Sequence, residues 1–192
     1  MGTMLILPKV RTIHVDALFT PKHYLNNPAN AARYTGTFLI PKGSDLDAKI
    51  WAMIDEVGKE TFGKTWAAKF PGFKASKDQL FYRDGDLKEQ DYYHGHMFIA
   101  ANRNADGNQP PAIVNKDVKD VLTLARGVIY GGCFVNGKVD VWGQEGKTPG
   151  IRASLEAVQF YADGDAIAGA GSAPTTEGFD SLDVDEDMMA GL

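Results

Sequence analysis

The sequence predicts a mainly β fold, a small five-stranded Greek-key barrel with one lateral α-helix and a disordered acidic C-terminal segment. Three observations lead to this prediction. Several short segments alternate between apolar and polar residues, one segment has apolar residues at helical spacing, and residues 169–192 are rich in small and acidic residues. Five or more short strands with a single helix favour a barrel over an α/β sheet.

Alternation of apolar and polar residues predicts strands over residues 11–18, 33–40, 92–101, 112–115 and 151–161. The dipeptide Asn136-Gly137 predicts a two-residue type I′ hairpin turn, because both positions tolerate the positive φ that this turn requires. It would pair residues 126–135 with 138–142. Opposed residues share a face, so one face of this hairpin would hold the core residues Val128, Tyr130, Phe134, Val139 and Val141. The wetter face would hold Ile129, Gly131, Cys133, Val135, Lys138, Asp140 and Trp142.

A helix is predicted from residue 45 to at least residue 60. Ser44 is a favourable N-cap, and Asp45 and Asp47 in the first turn complement the helix dipole. One apolar stripe recurs at helical spacing and is expected to face the core; it comprises Leu46, Ile50, Met53, Ile54 and Val57.

The net charge of −5 is distributed unevenly along the chain. All 20 lysines and arginines occur by Arg152, against 16 acidic residues in the same stretch, so residues 1–152 carry a charge of +4. Residues 153–192 contain nine acids and no base. A basic body with an acidic tail is typical of nucleic-acid-binding proteins, although such a tail also serves solubility alone.

Composition also excludes several classes of protein. No apolar run approaches the roughly 20 residues of a membrane helix, and residues 1–8 lack the basic start and long apolar region of a signal peptide. Cys133 is the sole cysteine, which excludes an internal disulfide framework. We therefore expect a protein of the reducing cytoplasm without a membrane partner.

Lysines alternate with aromatic residues between positions 59 and 77. Cationic grooves and exposed aromatic faces are the two ingredients of single-strand binding. The segment contains Lys59, Lys64, Lys69, Lys74 and Lys77, interleaved with Phe62, Trp66, Phe70 and Phe73. Trp142 and Lys138 on the wetter face of the hairpin would add a stacking platform, or the helix would cover Trp142 instead. In the alternative interpretation the aromatic residues are core and the lysines are merely solvated.

Catalytic motifs are scarce. His94 and His96 are two apart on a predicted strand and would share a face, but no third or fourth metal ligand is evident. Asp84-Gly85-Asp86 resembles only part of a calcium loop. We expect no cofactor, no metal and no catalysis, and retain two alternatives, a metal-dependent nuclease using His94 and His96 and a structural or adaptor protein of a virion.

Several blocks of the sequence together resemble a known family over residues 10–169. The blocks are Phe38-Leu39-Ile40-Pro41-Lys42, Asp84-Gly85-Asp86, Tyr93, Ile99-Ala100-Ala101, the run from Tyr130 to Asn136, the run from Gly150 to Phe160, and Asp163-Gly164. Their order and spacing resemble bacteriophage single-stranded-DNA-binding proteins with an OB-fold and an acidic tail. The resemblance implies a barrel that coats single-stranded DNA without sequence preference during phage replication or recombination.

The sequence therefore predicts an OB-fold DNA-binding domain over residues 1–168 and a flexible linker with an acidic tail over residues 169–192. The candidate DNA-binding residues are basic or aromatic: Arg33, Lys42, Lys59, Lys64, Trp66, Lys69, Lys74, Lys77, Tyr93, Arg103, Lys138, Trp142 and Arg152. The tail is expected to recruit replication or recombination proteins through Phe179, Asp180, Asp183, Asp185, Glu186 and Asp187. Self-association is left open.

Overall fold

The computed structural model describes residues 2–23, 26–107 and 109–169. Its strands are β1 (Thr3–Ile13), β2 (Lys22–His23), β3 (Ala32–Pro41), β4 (Tyr82–Asp84), β5 (His96–Asn104), β6 (Ala112–Val114), β7 (Phe134–Gln144) and β8 (Gly150–Ala162). Its α-helices are α1 (Asp16–Phe19), α2 (Asp45–Phe62) and α3 (Trp66–Ala75). The predicted tail from residue 170 onward lies outside the described residues.

Five of the strands close on one another. β1 pairs antiparallel with β3 and with β7, β3 pairs antiparallel with β5, and β7 pairs antiparallel with β8. The ring closes where β5 and β8 run parallel, in register at Asn102 and Ser154. The predicted mainly β class is confirmed, and this closed arrangement is the one that a five-stranded Greek-key barrel requires.

Apolar side chains fill the barrel, and α2 lies against it. Phe38 and Ile40 on β3 are fully buried, as expected from their alternation. Ile50 and Ile54 of α2 belong to the same core cluster. The predicted N-cap is confirmed, because the Ser44 hydroxyl accepts a hydrogen bond from the Asp47 amide at 3.2 Å.

The predicted hairpin turn at Asn136-Gly137 is wrong. Both residues lie inside the continuous strand β7, and the chain reverses between β7 and β8 over residues 145–149. Gly137 faces the barrel interior, where a Cβ would lie 3.2 Å from side-chain atoms of Leu7 and Phe38. The Asn136 side chain accepts from the Lys9 amide at 2.9 Å. Close packing, rather than turn geometry, accounts for this dipeptide.

The missing turn changes which residues face outward. Val139 and Val141 are buried as predicted, and Lys138 and Trp142 lie on the outer side. Val135 is fully buried, however, whereas Phe134 is only half-buried. The two assignments are reversed because a continuous strand keeps strict alternation through positions 136 and 137.

Other predicted boundaries shift without altering the barrel. The strand predicted over 11–18 ends at Ile13, and α1 follows it. The strand predicted from Tyr92 begins at His96, after a 3₁₀ turn over Asp91–Tyr93. No helix in the described part of the chain has the length and apolarity that a membrane crossing requires.

Candidate nucleic-acid interface

A row of polar side chains lies on the outer face of β2, β3 and β5. Lys22 is directly opposite Arg33, Arg33 is opposite Asn104, and Thr35 is opposite Asn102, so all five side chains share one face. The Thr35 hydroxyl donates to the Asn102 side-chain oxygen at 2.8 Å. We call these five residues the polar strip. Four of its residues lie on the second and third strands of the closed barrel, whose face binds oligonucleotides in OB-fold barrels, and Lys22 lies on the adjoining β2.

A second row crosses the same outer side nearer the other end of the strands. The register places Phe134 of β7 opposite Arg11 of β1, Arg11 opposite Leu39, Leu39 opposite Phe98, and Phe98 opposite Arg83. The guanidinium carbons of Arg11 and Arg83 lie 5.8 Å and 4.8 Å from the ring centroids of Phe134 and Phe98. An aromatic and a cationic side chain thus lie at each end of the row, with Leu39 between the two pairs.

The end of this row at β7 and β8 is open to solvent. The Lys9 ammonium lies 5.9 Å from the centroid of the Phe134 ring and 5.7 Å from that of Tyr161. Tyr161 is 43% exposed. We call Lys9, Arg11, Phe134 and Tyr161 the aromatic patch. Sequence reasoning missed it because the predicted hairpin register placed Phe134 in the core.

The middle of the row is covered by the chain itself. Leu39, Phe98, Tyr93 and Ile13 form a small buried cluster, against which Ile167 packs. The Lys88 ammonium lies 5.3 Å from the centroid of the Phe98 ring. The strand surface therefore has two accessible parts, the polar strip and the aromatic patch.

His14 lies at the edge of this cluster. Its Nε2 is 3.0 Å from the Tyr93 hydroxyl, which donates a hydrogen bond to the ring in the tautomer that leaves Nε2 unprotonated. Burial lowers the pKa of His14, and the nearby charges of Lys22 and Lys88 lower it further. Burial also raises the pKa of Tyr93 to about 12. Burial is the larger cause of both shifts, so the neutral forms of both side chains are favoured.

The aromatic residues predicted to bind DNA between positions 59 and 77 belong to the core instead. Trp66 is 2% exposed and its Nε1 donates to Asp55 at 2.9 Å. Its ring stacks on Phe62 with centroids 5.8 Å apart. Tyr93 is likewise only 5% exposed. Neither Trp66 nor Tyr93 presents a ring face to a base, because both pack against other side chains.

The lysines of this segment are exposed on the helical layer rather than on the outer face of β3 and β5. Lys59 forms an ion pair with Asp55, Lys69 lies 6.0 Å from the Phe62 ring centroid, and Lys74 lies 4.8 Å from that of Trp51. The remaining predicted lysines are also exposed: Lys64 between α2 and α3, Lys77 just after α3, and Lys138 on β7. The structure does not bring these residues into one site with Arg33.

Lys42, predicted to bind DNA, holds a loop in place. Its ammonium contacts Asp84 and, at 2.5 Å, Asp86. These hydrogen bonds raise the pKa of Lys42 and lower that of Asp86, which also accepts from the Gly95 amide at 2.7 Å. The partners fasten the segment between β4 and β5 to the end of β3.

Two arginines predicted to bind DNA instead form ion pairs or hydrogen bonds within the fold. Arg103 forms an ion pair with Glu156 at 3.2 Å beside the contact between β5 and β8. Arg152 donates to Gln144 at 3.1 Å and to backbone carbonyls of Asp78 and Thr148. Both side chains join parts of the barrel to each other, and neither lies on the polar strip.

Trp142 lies in an acidic groove between β7 and α2. It is half-buried and its Nε1 donates to Ser154 at 3.1 Å. The groove has a volume of about 550 Å³, and Glu60, Asp140 and Glu145 contribute to its wall. Three carboxylates around the ring repel phosphates, so this environment disfavours the stacking platform that the sequence suggested.

The histidine pair does not form part of a metal-ligand cluster. Within residues 2–23, 26–107 and 109–169, no group of three histidine, cysteine or acidic residues is arranged to hold a metal ion. His94 Nε2 lies 2.9 Å from the Lys88 carbonyl and His96 Nδ1 lies 3.0 Å from the His94 carbonyl. The predicted tail residues Phe179, Asp180, Asp183, Asp185, Glu186 and Asp187 lie outside the described residues.

These features define a small β-barrel with an accessible cationic and polar surface on its second and third strands. Known proteins share its fold. The structure aligns with the single-stranded DNA-binding protein from bacteriophage Enc34, with a TM-score of 0.63 and 25% identity over 86% of this chain and 84% of that one. The Enc34 protein in complex with single-stranded DNA aligns with the same TM-score at 26% identity, over 85% of this chain and 88% of that one.

The sequence itself matches the family described as Enterobacter phage Enc34, ssDNA-binding protein, over residues 3–189. It is also 36% identical over 164 residues to protein p50 of Acyrthosiphon pisum secondary endosymbiont phage 1, covering 83% of this chain and 86% of that protein. The chain belongs to the Enc34 single-stranded-DNA-binding family. The resemblance to phage single-stranded-DNA-binding proteins is confirmed.

Proposed function

We propose that this protein binds single-stranded DNA without sequence preference, along the outer face of β2, β3 and β5. The observation that carries the proposal is the polar strip of a barrel from an ssDNA-binding family. One cation and two amides of the strip are exposed on the second and third strands of the barrel, and a second cation is exposed on the adjoining β2. Cations bind phosphates of any sequence, and amides donate to sugars, phosphates and bases alike.

The aromatic patch supplies the second ingredient of single-strand binding. Bases stack on aromatic faces regardless of their identity. Phe134 and Tyr161 are accessible, and Lys9 and Arg11 beside them attract the phosphates that connect stacked bases. A strand bound to the polar strip and the aromatic patch would meet both cations and rings.

The wider role follows from the same proposal. The chain coats single strands during phage DNA replication or recombination in the cytoplasm of the host, and acts by binding rather than by catalysis. The acidic tail, with six acids between residues 177 and 187, recruits replication or recombination proteins. The charge of the tail supports this role because the body that precedes it is basic.

Titration of fluorescent oligonucleotides tests the proposal. Oligo-dT and mixed-sequence single strands are expected to bind with similar affinity, and a duplex of equal length more weakly. Affinity is expected to fall steeply with salt because released counterions drive the association. A duplex affinity equal to or above that of the single strands would contradict the proposal, and no binding at low salt would favour the virion structural alternative.

A second assay addresses the nuclease alternative. Labelled single-stranded DNA incubated with the protein and Mg²⁺ or Mn²⁺ is expected to shift in a native gel and to remain intact in a denaturing one. Cleavage that disappears in a His94→Ala, His96→Ala double variant would establish the nuclease instead.

A further inference from the structure

Two cations lie directly opposite each other at one end of the polar strip. Lys22 on β2 is in register with Arg33 on β3, so their side chains leave the sheet on the same side. Directly opposed residues have Cβ atoms about 4.5–5.5 Å apart, and like charges at that spacing destabilise the sheet. The pair therefore imposes an electrostatic cost on the folded protein.

No carboxylate forms an ion pair with either cation in the part of the chain that the structure describes. Neither Lys22 nor Arg33 forms an ion pair or a side-chain hydrogen bond there, and both are exposed. Lys22 and Lys88 also contribute to the lowered pKa of His14. Asp16 raises that pKa in opposition to the two lysines, and the opposed pair itself has no ion-pair partner among the described residues.

A hydrogen-bonding group adjoins the two cations. Asn104 on β5 is directly opposite Arg33, exposed, and on the same face. Its amide can donate to an oxygen held between the cations. A guanidinium, an ammonium and an amide in one row across three strands match the several oxygens of a phosphate group.

We propose that Lys22, Arg33 and Asn104 form a phosphate seat that holds one phosphodiester group of a bound DNA strand. The inference rests on the proposed function and adds the residues that fix the strand to the β2 end of the polar strip. Lys22 is not among the candidate DNA-binding residues that the sequence predicts. A phosphate bound between Lys22 and Arg33 relieves their repulsion. The free energy of that repulsion, which destabilises the protein without DNA, therefore favours binding.

Charge-removing variants test the seat. Lys22→Gln, Arg33→Gln and the double variant are compared with Lys49→Gln, which removes an exposed lysine from α2. The affinity for oligo-dT is measured by fluorescence anisotropy across a salt series. In a plot of the logarithm of the association constant against the logarithm of the salt concentration, the double variant is expected to have a slope shallower by about 0.7. That is the contribution of one phosphate contact on a single strand. Lys49→Gln is expected to leave the slope unchanged.

Thermal unfolding without DNA separates binding from folding. Because the opposed charges repel each other, the double variant is expected to melt at or above the temperature of the unaltered protein. Arg33→Lys keeps the charge and is expected to retain the slope. A slope in the double variant equal to that of Lys49→Gln would overturn the seat, as would a lower melting temperature or an Arg33→Lys slope as shallow as that of the double variant.

The outcomes distinguish the two proposals. If the unaltered protein fails to bind oligo-dT, the proposed function is wrong. If it binds and the double variant has an unchanged slope, DNA binding stands and the phosphate seat is wrong.

Discussion

The guanidinium of Arg11 lies 5.8 Å from the centroid of the Phe134 ring, and its Nη2 donates to the carbonyl of Asp165 at 2.6 Å. One cation thus joins an outward aromatic ring of β7 to the segment that follows β8. The Gly132 carbonyl accepts from Nε of the same arginine at 3.1 Å. With three contacts Arg11 is held in place, and the Phe134 ring keeps a defined orientation at the surface.

Truncation of that ring tests the aromatic patch. Phe134→Ala is expected to weaken binding of oligo-dT by roughly 1–3 kcal/mol, because a stacking surface for one base is lost. Met4→Ala, which truncates an apolar side chain 49% exposed on the outer face of β1, serves as the control and is expected to bind normally. Equal affinities of the two variants would exclude Phe134 from the interface.

Trp142 gives the opposite expectation. Trp142→Ala is expected to lower the free energy of unfolding by about 1–2 kcal/mol, since a half-buried ring and its hydrogen bond to Ser154 are lost. The affinity for single strands is expected to stay close to that of the unaltered protein, because three carboxylates line the same groove as the ring and repel phosphates. A binding defect without loss of stability would restore the stacking role that the sequence suggested.

Trp66 is expected to act through stability alone. Trp66→Ala removes a core ring that packs against Gly58 and Phe62 and donates to Asp55. The expected loss in the free energy of unfolding is about 3–5 kcal/mol, measured by urea denaturation. The lysine control Lys64→Ala leaves this core intact and is expected to unfold at nearly the same urea concentration as the unaltered protein. A small loss for Trp66→Ala would mean that the ring is not core.

His14 is expected to make stability depend on pH. Its pKa is lowered in the folded protein, so its contribution is fully present above the unfolded value of about 6.5 and is lost as pH falls through the lower folded pKa. His14→Asn removes this titration, and asparagine tolerates the positive φ of 55° at this position. Between pH 7.5 and pH 5 the variant is expected to lose less stability than the unaltered protein; equal losses would refute the assignment.

Removal of residues 177–192 is expected to tighten binding of single strands. The deleted segment carries six acids, and the chain up to Arg152 carries a charge of +4. The flexible linker predicted from composition would span roughly 20 Å over about 15 residues, which would let the acids compete with DNA for basic residues. The gain is expected to be larger at low salt, where charges are least screened. An affinity unchanged by the deletion at both low and high salt would exclude competition between the tail and DNA. The tail would then serve only to recruit partners or to keep the protein in solution.

Local signals predicted part of the fold correctly. Helix α2 was predictable because its cap, its first-turn acids and its apolar stripe are all encoded within one segment. The strands around Phe38 and Leu155 were predictable from alternation, and both residues are fully buried. Asn136-Gly137 misled the prediction because packing of Leu7 and Phe38 across the barrel, which no local pattern encodes, places a glycine there.

Less of the candidate site than of the fold could be predicted from the sequence. Arg33 was identified as a basic residue, but its opposition to Lys22 depends on a two-residue strand that carries no alternation signal. The aromatic residues near Trp66 have the composition of a stacking surface, and composition does not distinguish rings that face DNA from rings that face one another. Arg103 and Arg152 were chosen for charge alone, while their partners come from distant parts of the chain.

The parallel contact between β5 and β8 gives the barrel a seam. β5 and β8 are in register at Asn102 and Ser154. β7 and β8, by contrast, pair along the whole of β7, from Phe134 to Gln144. The closure between β5 and β8 is therefore the weaker of the two strand contacts. Opening of the barrel between β5 and β8 would leave the hydrogen bonds that join β2 to β3 and β3 to β5 intact. Lys22, Arg33 and Asn104 would then keep their relative positions, and the surface proposed to hold DNA would keep its shape.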